Sequence, residues 1–219
     1  MELPIKDRTT AGEHLAKAFG RYRDDGDVLV LALPRGGVPV AAPVARHLKA
    51  PLDLMVVRKL GFPGHEEFAM GAIASGGVRI MNDDALRRIP VSDDQIERVA
   101  DKEQAELERR ETTYRGDRPL PEIEGRTVVL VDDGIATGAT MRAAMQACRK
   151  QGAKRVVVGV PVGPKETIDR FSREADEVIC LSTPENFSSI GQWYQSFGQT
   201  SDDEVRSLLN DAWENEDSG

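Results

Sequence analysis

The sequence predicts an α/β protein, a parallel β-sheet flanked by helices. Three observations carry this expectation. Five short, mostly aliphatic runs recur along the chain: Asp27 to Leu33, Leu52 to Val57, Val128 to Val131, Arg155 to Val162 and Glu177 to Leu181. Stretches of helical periodicity separate them, and strands alternating with helices imply a parallel sheet with right-handed crossovers. The first and third runs also end in loops of small residues, at the carboxyl end of a strand, where such folds bind ligands.

In chain order, Thr10-x-x-Glu13 predicts a capping box, with Thr9 as the alternative cap, opening a helix with Leu15, Ala18 and Phe19 on one side. Asp24, Asp25 and Gly26 make a turn into the first strand, which ends in Pro34-Arg35-Gly36-Gly37. Two glycines there expose backbone N–H groups, and Arg35 adds a permanent charge; the bland alternative is a tight turn before a helix at Val38 to Leu48. His47 late in that helix reads as a partner for the helix dipole. The second strand starts after Pro51 and delivers Arg58 and Lys59, either to grip a diphosphate or as a solvated strand end.

Leu60 to Gly77, punctuated by glycines, reads as a mobile excursion. Phe68 to Ala74 and Val78 to Met81 form a hairpin candidate around Ser75-Gly76-Gly77. His65, Glu66 and Glu67 inside it are candidates for proton transfer, or simply a solvated acidic loop. Ser92-x-x-Gln95 caps a long polar helix to about Tyr114, whose thin stripe of Ile96, Ala100, Leu107 and Tyr114 suits a surface helix or a subunit contact. A proline-bearing linker, Arg118 to Glu124, comes next.

The most informative stretch is TVVLVDDGIATGAT, Thr127 to Thr140. A buried strand delivers Asp132 and Asp133, then a small-residue loop, then a helix (Met141, Ala144, Met145, Cys148). Unpaired N–H groups at the helix start favour an anion, and Thr137 and Thr140 can donate to phosphate oxygens. The two aspartates would repel that phosphate, so they face sugar hydroxyls or a divalent cation. A phosphorylated ribose satisfies both ends. No G-x-x-x-x-G-K-[ST] and no G-x-G-x-x-G after a strand is present.

VVLVDDGIATGAT resembles the phosphoribosyl-diphosphate (PRPP) motif of type I phosphoribosyltransferases. The resemblance implies that fold, with a small hood built from the N-terminal and C-terminal segments. It implies a core of about residues 27–181, with the hood from about 1–26 and 182–219, all in one domain of 219 residues. By the same resemblance, Asp132 and Asp133 contact the ribose hydroxyls, and Ala136, Thr137, Gly138, Ala139 and Thr140 cradle the 5-phosphate. Arg35, Gly36, Gly37, Arg58 and Lys59 hold the pyrophosphate. Mg²⁺ enters with PRPP, with Asp132 and Asp133 as candidate ligands. The catalytic set is Asp132, Asp133, Arg35 and Lys59. The loop from Leu60 to Gly77 lies where the family carries a flexible cover over the substrate.

Two features bear on the acceptor. The 6-oxopurine members of the family carry an aspartate where this loop has Ala136, which counts against hypoxanthine or guanine. The tail, Ser182 to Gln199, concentrates Phe187, Trp193, Tyr194 and Phe197. These either stack on a flat base or anchor the tail to the core; Phe187, Trp193, Tyr194, Glu66 and Glu67 are the base or hood candidates. PRGG, VRKLG, the acidic loop and FSSIGQWYQSF together resemble stand-alone predicted phosphoribosyltransferases of unassigned substrate. Three readings are open: a transferase on a nitrogen nucleophile, a PRPP- or nucleotide-binding regulator, and, least supported, a hydrolase.

Net charge −8 argues against a nucleic-acid partner. Seven acids against one base fall after Thr200, a solvated face capped by Ser201-x-x-Glu204 with Val205, Leu208, Leu209 and Trp213 on the inner side. Cys148 and Cys180 form no metal or disulfide spacing, and no run is long enough to span a membrane. These features, with no leader-like N-terminus, point to a cytoplasmic protein; the family admits a homodimer.

Overall fold

A computed structural model describes residues 2–217. Its centre is a five-stranded parallel sheet built from β1 (Val28–Ala32), β2 (Leu52–Leu54), β6 (Thr127–Val131), β7 (Arg155–Val162) and β8 (Glu177–Ser182). Their order across the sheet is β2-β1-β6-β7-β8. Every residue of β1 and β6 is buried, as their unbroken aliphatic composition requires of strands covered on both faces. Helices α1 (Arg8–Ala18), α2 (Gly37–Leu48) and α7 (Asp202–Asp217) share one apolar core with one face of the sheet. Helices α5 (Ala139–Lys150) and α6 (Lys165–Glu174) share the other.

The register of the two central strands sets the position of the loops. Val28 pairs with Thr127 and Ala32 with Val131, so β1 and β6 end level. The loop after β1 and the acidic pair after β6 therefore emerge side by side.

Between β2 and β6 the chain differs from the sequence expectation. The second parallel strand stops at Leu54, and Arg58 and Lys59 lie inside a new strand, β3 (Val57–Phe62). With β4 (His65–Ala74) and β5 (Val78–Met81) it forms a separate antiparallel sheet. The β4–β5 hairpin turns at Ser75 to Gly77, as expected. The stretch expected to be an excursion from the core is thus built into a sheet. Leu60, Phe62 and Met70 are buried and pack in the core that includes the long helix α4 (Asp93–Arg115). Short α3 (Asp83–Arg88) leads into α4.

Helix α4 carries the expected capping box at Ser92 and Gln95. Its Ala100, Leu107 and Tyr114 stripe is buried within this chain, against β3, β4 and α7. Its last residue, Arg115, reaches β2 through Asp53 (2.6 Å) and the Leu54 carbonyl (2.7 Å). Helix α7 is capped by Ser201, whose hydroxyl accepts from Glu204 N at 3.1 Å, and it buries Val205, Leu209 and Trp213. Met1, Ser218 and Gly219 lie outside the described residues, the last two belonging to the acidic stretch.

The cap of α1 is Asp7, which accepts from Thr10 N at 2.8 Å; neither Thr9 nor Thr10 serves. An acid three residues upstream competes well for the same N–H groups. Just before it, Ile5 N donates to the Trp193 carbonyl and Gln195 N to the Ile5 carbonyl, both at 2.7 Å. The amino-terminal segment and the tail after β8 therefore meet here.

Candidate active site

Asp132 and Asp133 follow β6 directly, and Pro34 to Gly37 follow β1. The level strand ends press these two loops together. A Cβ on Gly36 would lie 2.1 Å from Asp133 Oδ2, and one on Gly37 would lie 2.7 Å from the Val131 carbonyl. The glycines are needed here for close approach: Gly36 itself has ordinary right-handed φ.

The two carboxylates differ in their surroundings. Asp132 Oδ1 accepts from Asp133 N at 2.8 Å. Asp133 Oδ2 accepts from Arg8 Nε at 2.8 Å, a pair with little solvent exposure. Burial, and then the charge of Asp133, push the Asp132 pKa well above the usual carboxylate range. Burial raises Asp133 as well, and Arg8 opposes it. The pair thus favours a partner that donates hydrogen bonds or brings positive charge.

Arg8 was not visible as a site residue in the sequence. It is fixed from three directions: by Asp133, by the Gly198 carbonyl (2.7 Å), and by the Phe197 ring, whose centroid lies 3.9 Å from its guanidinium carbon. Nothing in the local pattern around Arg8 marks it, because every partner is more than a hundred residues away.

The loop after the acids ends at Gly138, whose φ of +79° precedes the first turn of α5. A Cβ at Gly138 would lie 2.3 Å from the Phe171 ring. Helix α6 is a platform under this loop. Thr167 Oγ1 donates to the Ala136 carbonyl (3.1 Å), Arg170 Nη2 to the Thr137 carbonyl (3.2 Å), and Phe171 packs below Gly138. These three sit at helical spacing on one face of α6. Tying back successive carbonyls leaves Ala136, Thr137, Ala139 and Thr140 exposed at the helix start.

Lys59 and Thr140 line a cleft of about 380 Å³ with Arg58, Gly61 and Glu66, and a second cavity of about 510 Å³ with Ala139 and Arg87. Lys59 on β3 and Thr140 at the start of α5 thus face common space. Arg58 is instead held by Glu103 of α4, at 2.6 Å. Glu66 and Glu67 are exposed, near the β3–β4 turn. Arg35 turns towards α7, with its Nη1 3.6 Å from Asp202 Oδ1.

The aromatic tail packs on itself and on the amino-terminal segment. Phe187 stacks on Trp193 at 6.1 Å, and Tyr194 lies 5.0 Å from Phe197. Tyr194 is buried among Ile5, Ala11 and Val162, and its hydroxyl donates to the Asp133 carbonyl at 2.6 Å. This tyrosine ties the tail to the acidic loop.

A parallel sheet that brings a glycine loop, an acid pair and a helix-start loop together at one edge is a phosphoribosyltransferase-type architecture. The phosphoribosyl transferase domain family matches residues 5–195, and the chain belongs to that family. Two Mycobacterium tuberculosis proteins named "Putative phosphoribosyl transferase" are each 49% identical over 94% of this chain and 46% of their own length. The chain spans about half the length of these curated relatives. The crystal structure of TT1426 from Thermus thermophilus is 42% identical, with a TM-score of 0.83 over 94% of this chain and 98% of that one. AQ2163 from Aquifex aeolicus shares the fold at 13% identity, with a TM-score of 0.51 over 84% of this chain and 78% of that one.

Proposed function

We propose that this chain transfers a 5-phosphoribosyl group from PRPP to a nitrogen nucleophile of a small acceptor, releasing pyrophosphate. The observation that carries the reading is the packing of Gly36 and Gly37 against the Asp132–Asp133 pair, beside a phosphate-type loop. In this reading the packing sets a diphosphate-binding backbone against a hydroxyl-binding acid pair, and the phosphate cradle follows in the same loop.

In this reading Asp132 and Asp133 accept hydrogen bonds from the ribose hydroxyls, and Ala136 to Thr140 hold the 5-phosphate. Gly36, Gly37 and Lys59 hold the diphosphate. Arg35 and Arg58 contribute after exchanging their present carboxylate partners, Asp202 and Glu103. As the bond from C1 to the diphosphate oxygen breaks, its electron pair leaves with pyrophosphate, the acceptor nitrogen forms the new bond to C1, and the proton that nitrogen carried passes to the departing pyrophosphate or to water. The ring carries transient positive charge, which the acid pair favours. Positioning and electrostatics do the work, without a covalent enzyme intermediate.

Mg²⁺ fits as an ion carried in by the donor. It is commonly held by one or two carboxylates plus substrate phosphates and water, and the acid pair offers that donor set. Among the described residues no group of three or more acid, histidine or cysteine side chains could hold a metal unaided. Bound there, the ion would neutralise charge on the leaving diphosphate.

A second reading, a non-catalytic PRPP or nucleotide sensor, is favoured by one observation: Phe187, Trp193 and Tyr194 pack on one another and on the hood. Pyrophosphate release from PRPP and Mg²⁺ across a panel of nitrogen bases separates the two. Base-dependent release supports the transferase. Tight PRPP binding without turnover on any base supports the sensor, and no PRPP binding overturns both. A cytoplasmic setting belongs to the same proposal, supported by the free thiols of Cys148 and Cys180. No helix among the described residues is long and apolar enough to cross a membrane.

A further inference from the structure

On the α4 side of the glycine loop lies a polar notch of about 180 Å³. It is lined by Arg35, Arg109, Arg110, Thr113, Tyr114 and Asp202. We propose that this notch is a second oxyanion site, distinct from the phosphate loop, that takes a free phosphate or the diphosphate end of a ligand.

Three arginines from two elements converge there. Glu106 grips two of them: it accepts from Arg109 Nε (2.7 Å) and Nη2 (3.0 Å), and from Arg110 Nε (2.8 Å). Those contacts hold the Glu106 pKa down to about 2, so it stays ionised and orients both guanidiniums. Among the described residues no hydrogen bond uses Arg109 Nη1 or either Nη of Arg110. These are the donors a multiply charged anion needs, in the fork geometry suited to phosphate.

The notch also holds a stand-in for the anion. Asp202 Oδ1 accepts the Tyr114 hydroxyl at 2.8 Å and lies 3.6 Å from Arg35 Nη1. A hydroxyl donor and a guanidinium charge from different elements thus face one carboxylate oxygen. The Arg35–Asp202 pair is long, and its side chains are 35% and 49% exposed. Such a pair is weak and exchanges readily. A phosphate oxygen entering at that position displaces Asp202, gains Arg109 and Arg110, and decides where Arg35 points. Because Arg35 belongs to the glycine loop, occupancy of the notch is felt at the main site.

The test is a calorimetric titration of inorganic phosphate into the full chain. Wild type should bind saturably, and Arg109→Gln with Arg110→Gln should weaken that binding at least about tenfold, the loss of two charge-assisted contacts. Thr137→Ala with Thr140→Val, in the phosphate loop, should leave this component in place. Asp202→Asn should tighten it. A parallel PRPP titration separates the two sources. Unchanged PRPP affinity in the double arginine variant identifies a free-phosphate site, and a matching loss identifies a subsite for the diphosphate end. Phosphate affinity that survives the arginine changes, vanishes with the loop changes, or does not rise in Asp202→Asn would overturn the proposal. Failure of wild type to bind PRPP would sink the proposed function and leave this result standing.

Discussion

Arg8 Nε and Asp133 Oδ2 are 2.8 Å apart across 125 positions of sequence. One contact joins the amino-terminal helix to the acid pair, and the same guanidinium reaches the tail through Gly198 and Phe197. Arg8→Gln should destabilise the fold by about 1.5–3 kcal/mol, the range for a hydrogen bond to a charged group. Arg8→Lys should lose less. Urea unfolding of the three proteins checks this, and equal midpoints would remove the arginine from the structural account.

Gly36→Ala introduces a methyl group 2.1 Å from Asp133 Oδ2, so the loop or the carboxylate must move. Overpacking of this kind costs roughly 1–3 kcal/mol. PRPP binding should fall much further than the melting temperature, because the shift is centred on the proposed diphosphate and ribose contacts. Calorimetry beside thermal denaturation reads both.

Thr167→Val removes the hydroxyl that ties back the Ala136 carbonyl while keeping the shape of the side chain. A single neutral hydrogen bond is worth about 0.5–1.5 kcal/mol, so ribose 5-phosphate should bind some threefold to tenfold more weakly. Pyrophosphate affinity should not change, since α6 ties back Ala136 and Thr137 of the proposed phosphate loop. Thr167→Ser should restore binding. Equal weakening towards both ligands would contradict the platform role.

Asp53 and Arg115 form a buried pair, 5% and 2% exposed, pinning the end of α4 to β2. Burial raises the Asp53 pKa and Arg115 opposes the shift. Arg115→Met strands a buried carboxylate and should cost about 3–5 kcal/mol. Asp53→Asn combined with Arg115→Met should cost less than Arg115→Met alone. Chemical denaturation of the single and double variants measures the coupling.

Burial pushes the thiols of Cys148 and Cys180 up to about 12 and about 11. Neither is appreciably ionised at pH 8, so the native protein should react slowly with a thiol-specific disulfide reagent. In urea both should react fully. Rapid labelling of the native chain would mean that the α5 and β8 packing opens easily.

The parallel core was legible in the sequence because its strands are continuous aliphatic runs with no competing pattern. The loop from Asp132 to Thr140 was legible for a different reason: acids, glycines and threonines are crowded into a few positions. Of the antiparallel sheet, the β4–β5 hairpin was legible and β3 was not. Glycines punctuate Leu60 to Gly77, and the β3–β4 register shifts around Leu60, Gly61 and Phe62 blur the alternation a strand would show. Arg8, Thr167 and Arg170 were beyond reach because their roles exist only through partners on other elements. The sequence singles out the ring of Tyr194, whereas its hydroxyl and its burial are what the fold uses.

The pairing of Ile5 with Tyr194 gives the amino-terminal segment an unusual responsibility. Residues that would ordinarily be trimmed or fused to a tag serve here as a clasp over the loop they close. Deleting residues 2–7 would remove the α1 cap and unfasten Tyr194, and with it the Asp133 carbonyl. Helix α7 runs the other way, from Asp202 beside Arg35 to Glu216, whose carboxylate accepts from Leu52 N at the start of β2, so changes near Glu216 should leave the clasp in place.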